Sequence, residues 1–166
     1  MTSTAALVRA AQAGDREAFG DLYRLYGRMV HGILLARLPS AEVDDLTQDV
    51  FLRALERLGS LREPEAFGGW IAAIARRAAI DRGRRGPREV PLAEDPPAPE
   101  AAGEAWAVLR LIHALPEAYR EPLVLRLIEG MSGPEIAERT GLTPGSVRVN
   151  LHRGYEMLRA RLSGAR

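Results

Sequence analysis

Carboxylates, an amide and two apolar side chains stand close together in the first third of the chain: Asp44, Asp45, Gln48, Asp49, Phe51 and Leu52. Paired carboxylates can ligate a metal ion or act as a general acid and base. No histidine stands near them in the sequence to complete a ligand set, so we expect neither a metal nor another cofactor. Negative charge is also favoured at the start of a helix. The cluster is therefore either an acidic and apolar surface for a protein partner or an ordinary helix start.

Apart from three histidines, the basic side chains are all arginine, because the sequence contains no lysine. A GC-rich genome is the simplest explanation. Its consequence is that every cationic side chain other than histidine ends in a planar guanidinium group, which is suited to binding phosphate and guanine. The net charge of +1 argues against a nonspecific nucleic-acid coat protein, but it hides a pattern. The segments 76–88 and 139–166 each carry +5, and residues 89–104 carry −5. Two compact basic segments favour a nucleic-acid surface over merely solvated helix faces.

A helix-turn-helix pattern stands in the last third of the chain. Ser132 and Glu135 form a capping box, Gly141 suits the end of a short helix, and Thr143 with Pro144 starts a longer one. The second helix of such a motif enters the major groove. Its expected outward residues are Ser146, Arg148, Val149, Asn150, His152 and Arg153. Arginine can bond guanine, asparagine adenine and serine a phosphate; a plain helical hairpin with a solvated polar face is the alternative.

A second candidate nucleic-acid segment, 64–85, combines an apolar stripe with a cluster of arginines. The arginines are Arg76, Arg77, Arg82, Arg84 and Arg85. Phe67 and Trp70 precede them, and aromatic rings beside cations suit unpaired bases and their phosphates. The helical spacing of these rings with Ile71, Ile74 and Ile80 favours a place in the core instead.

Helices must position these residues. Apolar side chains recur at intervals of three and four over 19–33 and again over 46–58. Ser40 is expected to cap the second of these helices, and Pro64 fits the first turn of a third. No stretch alternates with a period of two over a useful length, so the predicted fold class is all-α.

The second half of the chain continues the helical pattern. Apolar residues over 106–115 predict a helix that breaks at Pro116. The next helix runs to about Glu129, and Pro122 either kinks it or marks its true start. Gly130 then ends it.

Residues 86–103 contain five prolines and little to bury, and are expected to form a flexible acidic linker. The predicted architecture is therefore two small helical domains, residues 1–85 and 104–166, the second a four-helix domain with a helix-turn-helix.

The absence of cysteine excludes disulfides, zinc ribbons and thiol catalysis. No apolar run approaches the ~20 residues of a membrane helix, and the charged N-terminal segment lacks a signal-peptide core. We therefore expect a cytoplasmic protein without membrane insertion.

Three strings carry a family resemblance. Asp-Asp-Leu-Thr-Gln-Asp-Val-Phe-Leu-Arg-Ala at 44–54 is similar to the helix of sigma domain two that binds core RNA polymerase. The strings at 67–76 and 80–85 are similar to the helices that read and open the minus-ten promoter element. The segment 115–154 is similar to sigma domain four, which reads the minus-35 element. Over nearly its whole length the chain resembles an extracytoplasmic-function (ECF) sigma factor, the smallest group of the sigma-70 family.

The resemblance implies roles for three sets of residues. The residues that the resemblance predicts to bind core polymerase are Asp44, Asp45, Leu46, Gln48, Asp49, Phe51, Leu52 and Arg53. Minus-ten DNA is faced by Trp70, Arg76, Arg77, Asp81, Arg84 and Arg85. Minus-35 DNA is faced by Ser146, Arg148, Val149, Asn150, His152 and Arg153.

The function implied is that of an alternative sigma factor in a stress or envelope response. Its partners would be bacterial core RNA polymerase, promoter DNA and an anti-sigma factor, and it would need no catalytic residue or cofactor. The acidic linker would pass through the cationic RNA path of the polymerase.

The chain departs from the family pattern at Arg77, where asparagine is usual, at Gly83, and at Val149 and Asn150, which replace a common Ser-Arg pair. These differences leave the promoter sequence undetermined. Two other interpretations stay open. A stand-alone helix-turn-helix regulator would bind duplex DNA tightly without polymerase. An enzyme with a carboxylate site at Asp44, Asp45 and Asp49 would show metal-dependent turnover, although the partner residues that such a site requires are missing.

Overall fold

A computed structural model describes residues 1–86 and 100–164 of the chain. These two stretches form α-helices joined by turns and contain no strand. The helices are α1 (Thr4–Gln12), α2 (Arg16–Leu35), α3 (Val43–Arg57), α4 (Phe67–Arg84), α5 (Glu100–His113), α6 (Glu117–Leu127), α7 (Gly133–Thr140) and α8 (Pro144–Gly164). The prediction of an all-α fold is confirmed.

The first domain (α1–α4) is built around α2, which packs against the other three helices. Leu22, Met29 and Ile33 of α2 are wholly buried, and so are Val50 of α3 and Ile71 of α4. These positions follow the three-and-four spacing of the sequence, because that spacing places them on one face of each helix.

α1 is not among the predicted helices. Its cap is Ser3, whose side chain accepts a hydrogen bond from the Ala6 amide at 3.2 Å. Leu7, Val8 and Ala11 are buried against the rest of the domain.

The expected starts of α3 and α4 are wrong by a few residues. Ser40 is the first residue of a 3-10 turn (Ser40–Glu42) and makes no capping bond to α3. Pro64 likewise opens a 3-10 turn (Pro64–Ala66) that leads into α4. Such short turns are frequent at helix ends. Ile80, predicted in the apolar stripe, is 43% exposed, although its neighbours Ala78 and Ala79 are buried, so Ile80 lies on the outer side of α4.

The second domain (α5–α8) confirms the local signals of the helix-turn-helix. The Ser132 hydroxyl accepts from the Glu135 amide at 3.2 Å, and the Glu135 carboxylate accepts from the Ser132 amide at 2.8 Å. Gly141 ends α7 at a φ of 75°, a conformation that costs glycine little. Thr143 accepts a hydrogen bond from the Ser146 amide at 3.1 Å, so it caps α8 as predicted.

Two expectations for the middle of the chain need correction. Pro122 lies inside α6, which begins at Glu117, so the proline does not mark the start of that helix. α5 begins at Glu100, so residues 100–103, predicted as linker, are helical. The rest of the linker prediction, 87–99, lies outside the described residues.

The two domains pack directly against each other, since α2 and α4 contact α6 and α7. Among the described helices, none is long and apolar enough to cross a membrane.

Candidate nucleic-acid interface and acidic surface

The helix-turn-helix has an apolar inner face and a polar outer one. Ile136 and Ala137 of α7 and Val147 and Leu151 of α8 are buried, as their spacing predicts. On the outer face of α8 the exposed residues are Ser146, Arg148, Val149, His152 and Arg153. Asn150 is only partly exposed. Because the inner face holds α8 against α7, its outer side chains form a surface that can enter a DNA groove.

The outer residues of α8 offer different contacts. Arg148 and Arg153 are exposed, so their guanidinium groups can reach base edges or phosphates. Val149 is 46% exposed, and an apolar side chain of this kind fits a thymine methyl group. The Ser146 hydroxyl accepts a hydrogen bond from the Thr143 hydroxyl at 2.8 Å, so its own proton remains available to be donated to a phosphate.

The basic end of α4 forms a second exposed surface. Arg84 and Arg85 are exposed, and Arg77 forms an exposed ion pair with Asp81 at 3.2 Å. Arg82 differs from them, because it pairs with Glu42 and lies largely buried.

Phe67 and Trp70 have different surroundings although they are close in sequence. Phe67 is wholly buried and belongs to the core. Trp70 is only partly buried and packs against Phe67, with the two ring centroids 5.8 Å apart. It also lines a surface groove with Leu61 and Glu138. Of the two rings, Trp70 alone has a face that a ligand could reach.

The acidic surface lies on α3. Asp44, Asp45, Gln48 and Asp49 are exposed, and Leu52 is 58% exposed. The spacing of these residues along α3 places the apolar Leu52 beside the carboxylates. Such a surface, with apolar and charged side chains together, is suited to binding a protein partner.

Two predicted members of this surface, Leu46 and Phe51, are buried at 9% and 2% exposure. The Phe51 ring packs on Tyr23 with centroids 4.4 Å apart, so it holds α3 in the domain and cannot face a partner. Arg53 is partly buried at the edge of the surface. Within residues 1–86 and 103–164, no group of three or more acidic, histidine or cysteine side chains could hold a metal ion.

Arg76 is bound within the protein. Its Nε donates to Oε2 of Glu121 at 3.0 Å and its Nη2 to Oε1 at 2.7 Å. Arg37 also donates to Glu121, at 2.8 Å. Burial alone would raise the pKa of Glu121, but the hydrogen bonds and charges of Arg76 and Arg37 outweigh it and lower the pKa below its usual range. Glu121 therefore stays ionised although it is only 5% exposed.

Comparisons with known proteins match this arrangement. The family described as sigma-70 region 2 matches residues 22–89, and sigma-70, region 4 matches 105–158. The ECF RNA polymerase sigma-E factor of Haemophilus influenzae is 32% identical over an alignment of 173 positions, gaps included, which covers 92% of each chain. ECF RNA polymerase sigma factor SigM of Mycobacterium tuberculosis is 35% identical over an alignment of 170 positions, which covers 98% of this chain and 85% of SigM.

The chain belongs to the ECF sigma factors. A solved structure, that of CnrH in complex with the cytosolic domain of CnrY, is similar over 97% of both chains, with a TM-score of 0.70 and 27% identity. As an ECF sigma factor, the protein binds core RNA polymerase and directs promoter recognition and the initiation of transcription.

Three residues of this sigma factor gain importance only in the structure: His31, Glu121 and Glu129. The His31 Nδ1 lies 2.5 Å from the Glu129 carboxylate, although 98 positions separate them in the sequence. Glu121 is likewise 45 positions from Arg76. No local pattern marks such partners, because the contact depends on how two domains pack.

Proposed function

We propose that the outer face of α8 reads the minus-35 element. The observation that carries this assignment is the capped helix-turn-helix with Arg148 and Arg153 exposed on its outer side. Asn150, on the same helix and partly exposed, would bond adenine. Ser146, Val149 and His152 complete the predicted surface.

We propose that the acidic surface of α3 binds core polymerase. The exposed carboxylates Asp44, Asp45 and Asp49, with Gln48, would meet a basic surface of the partner, and Leu52 would supply apolar contact. Leu46 and Phe51 contribute by fixing the helix in the domain core.

The end of α4 would hold the opened minus-ten strand. Arg77, Arg84 and Arg85 would bind phosphates, while the accessible face of Trp70 would stack on an unpaired base. Asp81 would orient Arg77 through their ion pair. Arg76 joins this set only when it leaves Glu121.

The remaining features follow from acting on polymerase and promoter. We propose that sigma domain two spans 1–85 and domain four 104–166, with the linker between them. The protein would work in the cytoplasm, where polymerase and chromosome are, and would leave catalysis to the polymerase. The similarity to CnrH, which was solved with a bound protein domain, supports a regulatory partner of the anti-sigma kind, in a stress or envelope response.

Run-off transcription of genomic fragments with bacterial core polymerase tests these assignments. Arg148→Ala should weaken promoter binding by about 1–3 kcal/mol at one base position if it reads a base. Arg159→Ala, an exposed arginine farther along α8, is the matched control. Asp49→Ala should instead reduce capture of core polymerase, whereas Glu56→Ala on the same helix should not.

Two outcomes would overturn the assignments. Absence of initiation at any genomic promoter would contradict the function. Tight, specific duplex binding without polymerase, together with unchanged activity of Asp45→Ala and Asp49→Ala, would support a stand-alone regulator.

A further inference from the structure

An ion pair within the first domain joins the start of α3 to the end of α4. Nη2 of Arg82 in α4 donates to Oε1 of Glu42, which is the last residue of the 3-10 turn before α3. The two side chains are only 16% and 19% exposed. Because solvent and salt screen a largely buried pair much less than an exposed one, this pair ties the two helix ends together more firmly than a surface pair could.

Arg82 also holds the chain that follows α4. Its Nη1 donates to the Gly86 carbonyl at 2.7 Å, so one guanidinium group bonds both the turn before α3 and the backbone after α4. Both terminal nitrogens are thus bonded inside the protein, and the side chain is largely buried. Arg82 therefore presents no free guanidinium group to a phosphate, in contrast to the exposed Arg84 and Arg85.

Apolar packing does not hold this end of α4. Ala78 and Ala79 are buried at 2% and 3% exposure, but none of the residues 81–86 is buried. A Cβ added at Gly83 would meet nothing within 4 Å, so no neighbouring atom supports the helix at that position. Glycine also weakens a helix relative to alanine. The bonds of Arg82 therefore anchor the last turn of α4 where apolar contacts do not.

The two elements that this pair joins carry the surfaces assigned above to different partners. The acidic surface of α3 begins with Asp44, two residues after Glu42. The exposed arginines at the end of α4 begin with Arg84, two residues after Arg82. A cavity of about 530 Å³ beside the pair is lined by two carboxylates of the first surface and by Arg85 of the second. The surface for polymerase and the surface for the minus-ten strand thus adjoin at the ion pair.

We propose that Glu42 and Arg82 are positioning residues for promoter opening: their ion pair holds the last turn of α4 beside the polymerase-binding surface of α3, so that Arg84 and Arg85 meet the opened minus-ten strand. The inference rests on the proposed function, which assigns these two surfaces. Arginines on a fixed helix end lose less conformational freedom when they bind phosphates than arginines on a loose end. Glu42 and Arg82 act through this placement and do not themselves contact DNA.

Removal of Glu42 separates positioning from simple electrostatics. Glu42→Ala removes a negative charge beside a surface assigned to a polyanion, so charge alone would strengthen the binding of DNA. Loss of the anchor should instead weaken it, because Arg82 no longer holds the end of α4. Arg82→Ala should weaken it as well. The two variants change the net charge in opposite directions, so a loss that they share cannot come from charge.

A reversed pair tests the interaction itself. Glu42→Arg combined with Arg82→Glu restores an ion pair between the two elements, although it gives up the bond to the Gly86 carbonyl. The double variant should bind the strand better than either single charge reversal, which is the mark of a direct coupling between two residues. Glu56→Ala and Arg57→Ala, exposed near the end of α3, remove the same charges without touching the pair and are the matched controls.

The measurement uses the full chain bound to core polymerase and a promoter fragment recovered by the run-off assay. A fluorescent base analogue in the minus-ten region reports strand opening, and its signal after the addition of heparin gives the lifetime of the opened complex. Glu42→Ala and Arg82→Ala should each shorten this lifetime about threefold or more, and the two controls should not. Capture of core polymerase, and binding of a duplex that holds only the minus-35 element, should stay at the wild-type level.

Two results would overturn the proposal. A longer lifetime in Glu42→Ala with a shorter one in Arg82→Ala would make Arg82 a direct DNA contact. An equal loss of core capture and minus-35 binding would show that the pair only maintains the fold.

Failure of the wild-type chain to initiate at any promoter would contradict the proposed function instead. Amide hydrogen exchange in the free chain then still tests the anchor, because residues 83–86 should exchange faster in Glu42→Ala than in Glu56→Ala. Equal exchange in these two variants would show that the ion pair does not hold the end of α4.

Discussion

Protonation of His31 affects the contact between the two domains, because His31 of the first domain bonds Glu129 of the second. Its hydrogen bond to Glu129 raises its pKa above the ordinary value, partial burial opposes this, and the nearby charges of Glu129 and Asp44 add to the increase. Other titratable groups line the same cavity: Tyr23, Arg24, Arg28, Asp44 and Glu129. Asp44 belongs to the same domain as His31, whereas Glu129 belongs to the other. The hydrogen bond to Glu129, which is the larger effect, therefore exists only while the domains are in contact.

The contact between the domains should therefore depend on pH. Because the pKa of His31 is raised by Glu129 of the other domain, protonation of His31 favours the contact; this contribution is complete below the ordinary pKa and is lost as pH rises through the raised one. Spin labels at Arg57→Cys and Ser163→Cys, which are exposed positions in the two domains, should move apart as the pH is raised from about 5.5 to about 8.5. His31→Gln keeps a hydrogen-bond donor but cannot gain charge, so its distances should not change over this range. An unchanged wild-type distribution would contradict the role of His31.

At the scale of helices, the capping box of α7 determines where the helix-turn-helix begins. Both hydrogen bonds between Ser132 and Glu135 are present. Because α7 has only eight residues, the loss of one of these bonds removes a large share of its stabilising contacts. Ser132→Ala should lower the free energy of unfolding by about 0.5–2 kcal/mol. Urea unfolding measures this, with Ser163→Ala in the last turn of α8 as the control. Equal stabilities of the two variants would show that the cap contributes nothing.

Local signals explain which helices could be predicted from the sequence. The ends of α7 and the start of α8 were predictable because caps, prolines and the left-handed Gly141 act within four residues. The start of α3 was not, because the 3-10 turn at Ser40 satisfies the backbone without a side-chain cap. The burial of Phe51 depends on Tyr23 of another helix, so the spacing of α3 alone could not separate it from the exposed Leu52.

The same reasoning applies to the candidate site. The exposed arginines of α8 and the carboxylates of α3 follow from helical spacing and charge. The state of Arg76 does not, since its partner Glu121 is 45 positions away and nothing near either residue marks the pair. Domain packing brings together residues that are far apart in the sequence, so no local pattern predicts their contacts.

At the scale of the whole molecule, the contact between the domains should couple their unfolding. Each domain has its own buried core, including Phe67 in the first and Ile112 in the second, and could unfold alone if it were free. Because the domains are in contact, unfolding of one also breaks the ion pairs and apolar contacts that it makes with the other. The less stable domain then gains stability from its neighbour, and the two transitions move together.

Calorimetry of the full chain can detect this coupling. A Cβ added at Gly68 would lie 2.2 Å from the backbone oxygen of Arg139 in the other domain, whereas one added at Gly69 would lie an ordinary 3.6 Å from the Thr140 oxygen. Below the raised pKa of His31, where contact between the domains is most favoured, the wild-type chain and Gly69→Ala should each unfold in one transition. Gly68→Ala should unfold in two, because the clash with the Arg139 backbone removes the contact while the added methyl leaves α4 intact. Raising the pH should move the wild-type profile toward that of Gly68→Ala. If both glycine variants unfold with the same profile, the two domains are not coupled.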